Sequence, residues 1–381
     1  MKKYDIIIIG AGPAGLTAAL ALKESNLKIA LIEKDEYPRT KICGDGICDR
    51  SINTLRKLSE SYYTEIKEKL KPRFIKSTSL VYKGKHHILN FQNFGFTLKR
   101  EEFDNFLYDL VKRECPHIDL IENCKVSNVE RLDAGLKITA ANEQEFTCPI
   151  VIVANGAKSK AAEQLTGIAW DKNKSGVAIR AYYENVKGMQ DDAIELHYKK
   201  KYFPGYFWVF PMKDGLANVG FGYHCKDVEK YAESINEIFT NWIEEDPDLK
   251  ERFSEAKLVS KIQGGIIPYN SNEFNCHGNN YMITGDAASL VDPISGGGIG
   301  SAMYSGYIAA KRAVKCHKRK DFSSLQTIKY EEELKQRVEK EFKTRYNLQK
   351  KISKMPFLLD VLSPFAKSAN VLQKISDWYF K

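Results

Sequence analysis

Histidine is scarce, seven in 381 residues, and the eight cysteines (43, 48, 115, 124, 148, 225, 276 and 316) form no C-x-x-C pair and no metal-type grouping with histidine. A zinc ribbon and a disulfide framework are therefore not expected; reduced thiols in a cytoplasmic protein are. No run of 18 apolar residues occurs, which argues against a transmembrane helix. Low-complexity tracts and repeats at solenoid periods are also missing. The N-terminal Lys2-Lys3 before Ile6–Ile9 lacks the features of a signal peptide. Asp5 interrupts the basic-to-apolar transition, glycines at 10, 12 and 15 break the apolar run, and no small-residue cleavage site follows.

What remains is ordinary globular composition, 43% hydrophobic and 28% charged, in a chain long enough for two domains. The net charge of +9 is unevenly spread, because residues 311–381 carry 18 Lys and Arg against 8 Asp and Glu. Such a region suits either a solvated helix surface or peripheral contact with anionic lipid at the inner face of a membrane. No recognised nucleic-acid motif accompanies the charge, so nucleic acid is not an expected partner.

Tyr4–Ile9 reads as a buried parallel strand, Pro13–Glu24 as a helix and Leu27–Ile32 as the next strand, together one mononucleotide-binding unit. Ser51–Leu70 and Arg100–Arg113 have helical spacing, Phe74–Phe96 and 176–223 that of strands, and Tyr281–Ile283 that of a final buried strand before a helix near Gly298–Val314. The predicted class is α/β, α+β overall: a Rossmann-like domain (1–72, 98–167 and 275–320) with an inserted antiparallel-sheet substrate domain (73–97 and 168–274). A C-terminal helical region would follow (321–381), with Phe357–Leu362 as an exposed apolar segment.

Gly10-Ala11-Gly12-Pro13-Ala14-Gly15 is G-x-G-x-x-G between a strand and a helix. Gly10 permits the tight turn, Gly12 lets backbone approach a pyrophosphate, and Gly15 lets helix pack on strand, while the helix N-terminus offers N–H groups to phosphate. Glu33 ends the second strand, where it can accept from ribose hydroxyls. The motif alone does not separate FAD from NAD.

Thr284-Gly285-Asp286-Ala287-Ala288, followed by Asp292-Pro293 and Gly296-Gly297-Gly298, resembles the second FAD signature of the para-hydroxybenzoate hydroxylase-like flavoproteins. That resemblance implies that Asp286 holds the ribityl chain and that the helix from Gly298 and Ile299 points its positive end at the flavin. It also implies that Arg100 lies near the FAD phosphates. Val151–Ser159 resembles the superfamily's Asp-Gly segment, with Asn155 where aspartate is usual, before Gly156. That departure leaves direct use of NADPH open.

Lys41-Ile42-Cys43-Gly44-Asp45-Gly46 and Tyr206-Phe207-Trp208-Val209-Phe210-Pro211 narrow the resemblance to the geranylgeranyl reductase family, over residues 4 to about 345. In that family the aromatic segment lines a prenyl cavity. The proline before it sits one place closer here, at Pro204. The resemblance implies cofactor contacts at Gly10, Gly12, Pro13, Ala14, Gly15, Glu33, Lys34, Cys43, Gly44, Arg100, Val126, Gly156, Gly285, Asp286, Gly297, Gly298 and Ile299. It implies catalytic or substrate contacts at Cys43, Tyr206 and Trp208. Alternation puts Tyr206 and Trp208 on one strand face and Phe207 and Val209 on the other. A plain core strand would show the same pattern.

The expected reaction is reduction of a carbon–carbon double bond in an isoprenoid or similar apolar substrate by hydride from flavin N5. Its proton would come from Cys43, Tyr206 or water, and its electrons from NADPH or another reductant, including a donor protein. Two other classes stay open: an oxygen-using hydroxylase or halogenase, and a non-catalytic prenyl carrier of the Rab escort kind.

Overall fold

Four consecutive isoleucines, Ile6–Ile9, are all buried, as a strand covered on both faces requires. In this computed structural model, which describes residues 1–269, 274–357 and 359–360, that strand is central to a six-stranded sheet. Ile29–Ile32 and then Ile118–Ile121 lie on one side of it; Ile150–Val153, Tyr281–Ile283 and an antiparallel His277–Gly278 lie on the other.

The first helix, Pro13–Ala21, is shorter than Pro13–Glu24. Leu22 leaves helical geometry (φ −99°, ψ 2°), and Ser25 closes a turn onto the Leu22 carbonyl at 2.9 Å. Ser51–Leu70 is likewise not one helix. Ser59 is extended (φ −168°) between Asp49–Leu58 and Glu60–Glu65, and its hydroxyl accepts from Ser61 N–H, the capping geometry serine favours.

Residues 73–97 and 168–269 supply eight strands of a nine-stranded sheet whose middle runs Ser175–Glu184, Leu216–His224, Tyr206–Pro211, Ala193–Tyr198 and Arg73–Tyr82. The antiparallel expectation needs one correction. Ala193–Tyr198 pairs in parallel with Arg73–Tyr82, at the seam where the two inserted segments meet. Gly46–Cys48, expected with the nucleotide-binding domain, adds to this sheet's edge. Gly95 (φ 136°) lets it do so, since a Cβ there would overlap the Ile47 carbonyl.

One face of the sheet buries Phe207, Val209, Val219 and Phe221 under Phe239 and Trp242 of the helix Ile235–Glu245. Glu195 and Arg252 tie the next helix, Pro247–Arg252, to the same sheet through two 2.7 Å bonds. At the C-terminus, Ser324–Ile352 is helical and Asp360 accepts from Tyr82 at 2.6 Å and Lys83 at 2.9 Å. Phe357 is 50% exposed, while Leu358 and residues 361–381, including Val361 and Leu362 of the expected apolar segment, lie outside the described residues.

Burial pushes the Glu195 carboxyl up, but hydrogen bonds from His197 and Arg252 outweigh it and hold it at about 2. A carboxyl held below its unfolded value stabilises the fold above pH ~4.5, and that contribution disappears as pH falls through about 2. It is worth on the order of 3 kcal/mol by linkage. Acid titration of stability should therefore be steep between pH ~5 and ~2 and shallower in Glu195→Gln, measured by thermal melts.

Candidate active site

The glycine loop shows which of its residues are structural and which face a ligand. Gly10 (φ 99°) abuts Ala154 and Asn155, 2.6 and 2.7 Å from where a Cβ would stand, and a Cβ on Gly15 would overlap the Gly10 carbonyl oxygen. Gly12 is different, because its nearest neighbour would be Arg39 Nη2 at 3.8 Å. Gly12 also precedes the helix Pro13–Ala21 without a side-chain cap, leaving first-turn N–H groups of Ala14 and Gly15 available to an anion. Glu33, 5% exposed, accepts from Ala11 N–H at 2.7 Å and from Lys34 and Asp35 N–H at 3.0 and 3.2 Å. Its carboxylate thus anchors the loop and keeps lone pairs for a sugar hydroxyl. Lys34 is exposed and pairs with Asp35 at 3.0 Å. The Glu33 carbonyl accepts from Cys124 N–H at 2.8 Å, which brings partly buried Val126 to the same end.

Arg100 is buried and committed, with Nε and Nη2 on Asp104 at 2.8 and 2.9 Å and a further hydrogen bond to the Cys43 sulfur. Arg39, which sequence reasoning passed over, is the guanidinium at the glycine loop. It donates to Ala11 C=O and to Asp104, both at 3.2 Å. Its Nε stands 3.9 Å from Glu33, too far for a hydrogen bond, and is buried without another partner among the described residues. A guanidinium with its Nε free of a hydrogen bond, beside an open glycine and an uncapped helix, fits a pyrophosphate. The only hint in the sequence was a lone arginine, Arg39, downstream of Glu33.

The second glycine segment closes onto the first. Gly285 (φ 58°) sits where a Cβ would be 3.1 Å from Ala302 and 3.4 Å from Ala14. Asp286 Oδ1 lies 3.2 Å from the Cβ position of Gly298. After exposed Gly297, Gly298 precedes the helix Ile299–Arg319, again with no side-chain cap, and Ile299 is buried. Gly156 (φ 81°) stands 4.0 Å from Lys41 Nζ by the same measure, and Asn155 accepts from Ser159 at 2.5 Å.

The aromatic strand supplies the remaining wall. Tyr206, Trp208 and Phe210 share the face opposite Phe207 and Val209. Gly44 lies against them, its Cβ position 3.4 Å from Phe210 and 3.7 Å from Trp208 Nε1. Tyr206 donates its hydroxyl to Ser295 C=O at 2.6 Å, and burial raises its pKa well above the ordinary tyrosine value. Its proton is therefore engaged. Burial also pushes the Cys43 thiol up, against the opposing charge of Arg100, so Cys43 is protonated at neutral pH.

Behind this wall sits a cluster that the motif reading did not single out. Asn218 accepts from Trp208 Nε1 at 2.9 Å and donates to Cys43 C=O at 2.9 Å and Asp45 at 2.8 Å. Tyr182 donates to Asp45 at 2.5 Å. Asp45 lies within the segment Lys41–Gly46, but nothing in a linear sequence connects it to Tyr182 and Asn218.

This constellation, two uncapped helix starts converging on a glycine loop beside an acidic strand end, is that of a flavoprotein. Comparison with known proteins agrees. Residues 5–47 match the family model described as FAD binding domain, and residues 175–266 that described as geranylgeranyl reductase catalytic domain. The digeranylgeranylglycerophospholipid reductase 2 of Methanopyrus kandleri is 26% identical, over 93% of this chain and 87% of that one. The menaquinone reductase of Mycobacterium tuberculosis is 24% identical, over 81% and 76%. A crystal structure of a geranylgeranyl bacteriochlorophyll reductase-like protein from Thermoplasma acidophilum superposes with a TM-score of 0.85 at 26% identity, covering 98% and 96%. A myxobacterial halogenase, at TM-score 0.73 and 21% identity, shares the fold. The protein is an FAD-dependent oxidoreductase. It is similar to the geranylgeranyl reductases, whose catalytic-domain model matches residues 175–266.

The loop geometry separates three substitutions. Gly15→Ala should fail to fold, because helix and strand cannot both stay in place. Gly12→Val should fold and lose FAD, since the new side chain enters the open side of the loop. Arg39→Ala should fold and weaken FAD binding by about tenfold, as loss of a charged hydrogen-bonding partner does. Flavin absorbance per protein and thermal melts check all three, and stoichiometric FAD in folded Gly12→Val would overturn the assignment of the loop.

Proposed function

We propose that the protein reduces carbon–carbon double bonds in a prenyl or similarly long apolar lipid, with FAD held between the two glycine segments. The carrying observation is the Trp208 indole. It overlies Gly220, is hydrogen-bonded to Asn218, and lies against the loop of Cys43 and Gly44. Flat aromatic surface beside a flavin loop suits an apolar chain that must be held in one orientation. The names of the relatives from Methanopyrus kandleri and Thermoplasma acidophilum point to the same substrate class.

FAD, bound and reduced, would supply the hydride. The chain's own residues do the rest. Gly12, Ala14 and Gly15 present N–H groups to the pyrophosphate with Arg39 beside them, and Glu33 takes the ribose. Asp286 holds the ribityl chain, and the uncapped N–H groups after Gly298 favour negative charge on the flavin ring. Tyr206 and Trp208 orient the alkene and exclude water, which strengthens every polar interaction in the site. Tyr206 serves as wall and tether, its proton being held by Ser295. Cys43, kept neutral by burial, is the proton donor. Arg100 orients Cys43 and Asp104 and so reaches the cofactor only indirectly.

Electrons come from an external donor, NADPH or another reductant including a protein, and Asn155 where the superfamily usually has aspartate leaves direct use of NADPH open. The basic C-terminal region, with Leu325 and Phe357 exposed, gives the protein a surface for anionic membrane. Among the described residues no helix is long and apolar enough to cross a membrane.

In Trp208→Ala, FAD should remain bound while turnover per flavin of a prenyl substrate falls at least ~10-fold. If the strand is only core, the same change lowers melting temperature and flavin content together and leaves activity per flavin intact. The wild-type protein, reduced anaerobically, should be reoxidised by prenyl lipid. Reoxidation by oxygen with substrate oxygenation would favour the halogenase or hydroxylase class instead.

Membrane contact should appear as binding to anionic vesicles at low salt that weakens as salt rises past about 0.15 M, where the screening length is ~8 Å. Equal binding to neutral vesicles would remove the electrostatic component.

A further inference from the structure

Asp45 carries two energetic burdens. It is completely buried, and as a non-glycine residue it holds a left-handed backbone (φ 63°). Such a residue persists only where its surroundings over-determine it. Its surroundings come from three separate parts of the chain. Tyr182, on the strand Ser175–Glu184, donates to Oδ2 at 2.5 Å; Asn218, on Leu216–His224, donates to the same oxygen at 2.8 Å; Arg100 N–H, at the start of its helix, donates to Oδ1 at 3.2 Å. Asp45 returns a backbone carbonyl to Leu98 at 3.0 Å, and its own N–H reaches the Cys43 sulfur.

Arg180 completes the cluster. It is 4% exposed, its Nε has no hydrogen-bond partner among the described residues, and its guanidinium lies 4.4 Å from the centre of the Tyr182 ring. Burial pushes the Asp45 carboxyl up, while the Tyr182 and Asn218 bonds and the Arg180 charge oppose that.

We propose that Asp45 is a positioning residue of the site, fixing the Cys43 loop and the Trp208 indole relative to each other through Asn218 and Tyr182. The geometry leaves little alternative routing. The Asn218 amide oxygen receives Trp208, so its nitrogen must serve both Cys43 C=O and Asp45. Replacing the carboxylate by an amide turns one acceptor into a donor, which then opposes either Asn218 and Tyr182 on the Oδ2 side or Arg100 N–H on the Oδ1 side. In the first orientation Asn218 gives up either its bond to Trp208 or its bonds to Cys43 C=O and Asp45; in the second Arg100 N–H loses its acceptor and the Cys43 loop loses its tie to that helix. The inference rests on the proposed reduction for its catalytic consequence, but its structural content is independent of any substrate.

The experiment compares wild type, Asp45→Asn and Tyr182→Phe as FAD-loaded full-length protein. Alkylation by iodoacetamide is followed by peptide mapping, with the exposed Cys48 as internal reference. Expected for Asp45→Asn is a roughly tenfold change in the Cys43 rate relative to Cys48, an altered Trp208 contribution to fluorescence, and retained FAD. Turnover per flavin should drop in kcat with KM little changed. Tyr182→Phe should shift the same readouts in the same direction by less, and it decides alone if Asp45→Asn does not fold. A lowered melting temperature with Cys43 reactivity and activity per flavin both at wild-type level would overturn the proposal. If the protein does not turn over prenyl lipids at all, the reduction reading fails, while the Cys43 and Trp208 readouts still test the positioning role.

Discussion

The close approach of Gly15 to the Gly10 carbonyl is the contact on which the rest of the site depends. It seats the helix Pro13–Ala21 against the strand Ile6–Ile9 with its N-terminus at the strand's end. The long helix Ile299–Arg319 can then lie on the first because Gly306 stands over the Ala14 carbonyl, where a Cβ would overlap it. Gly285 completes the same junction from the strand Tyr281–Ile283. Three glycine contacts thus bring two uncapped helix starts, nearly 300 residues apart in sequence, to one place. Both starts offer positive partial charge, which is what a dinucleotide with an electron-rich ring requires.

The large sheet supplies the opposite side, and it is two-faced by the alternation of a single strand. Phe207 and Val209 disappear into a core closed by Phe239 and Trp242, which makes the strand rigid. Tyr206, Trp208 and Phe210 are held on the other face by that rigidity. A site built on such a strand is better defined than one on a loop. The loop Cys43–Gly46 must therefore be brought to the strand. Asn218 and Asp45 do this, at the cost of a buried carboxylate.

Charged pairs extend the same logic outward. Arg100 and Arg39 share Asp104, linking the Cys43 loop to the glycine loop. At the far end, Arg50 bonds Ser301 at 3.0 Å and Glu341, while Arg345 pairs with Asp292. The C-terminal helix thereby grips both the start of the helix Ile299–Arg319 and the loop that receives Tyr206. Buried pairs of this kind contribute less net stability than their number suggests, because desolvation offsets attraction, but they specify position.

Local chemistry was legible in the sequence wherever its consequence is local. Ile6–Ile9 could only be a doubly covered strand, Gly10–Gly15 a tight turn from strand to helix, and Tyr206–Pro211 a strand with two unlike faces, since backbone sterics and side-chain alternation act within a few residues. That the Gly285 segment closes onto the first glycine loop agrees with the resemblance that singled it out. Helix ends were missed where a serine cap or a tight turn competed with propensity, as at Ser59 and Leu22. The parallel pairing of Ala193–Tyr198 with Arg73–Tyr82 was missed because a strand's pattern does not state its partner's direction. Arg39 at the glycine loop, and Asp45 joined to Tyr182 and Asn218, were decided by tertiary structure alone. A charged side chain's role depends on which counter-charges and donors surround it once buried, and those come from segments tens to hundreds of residues away.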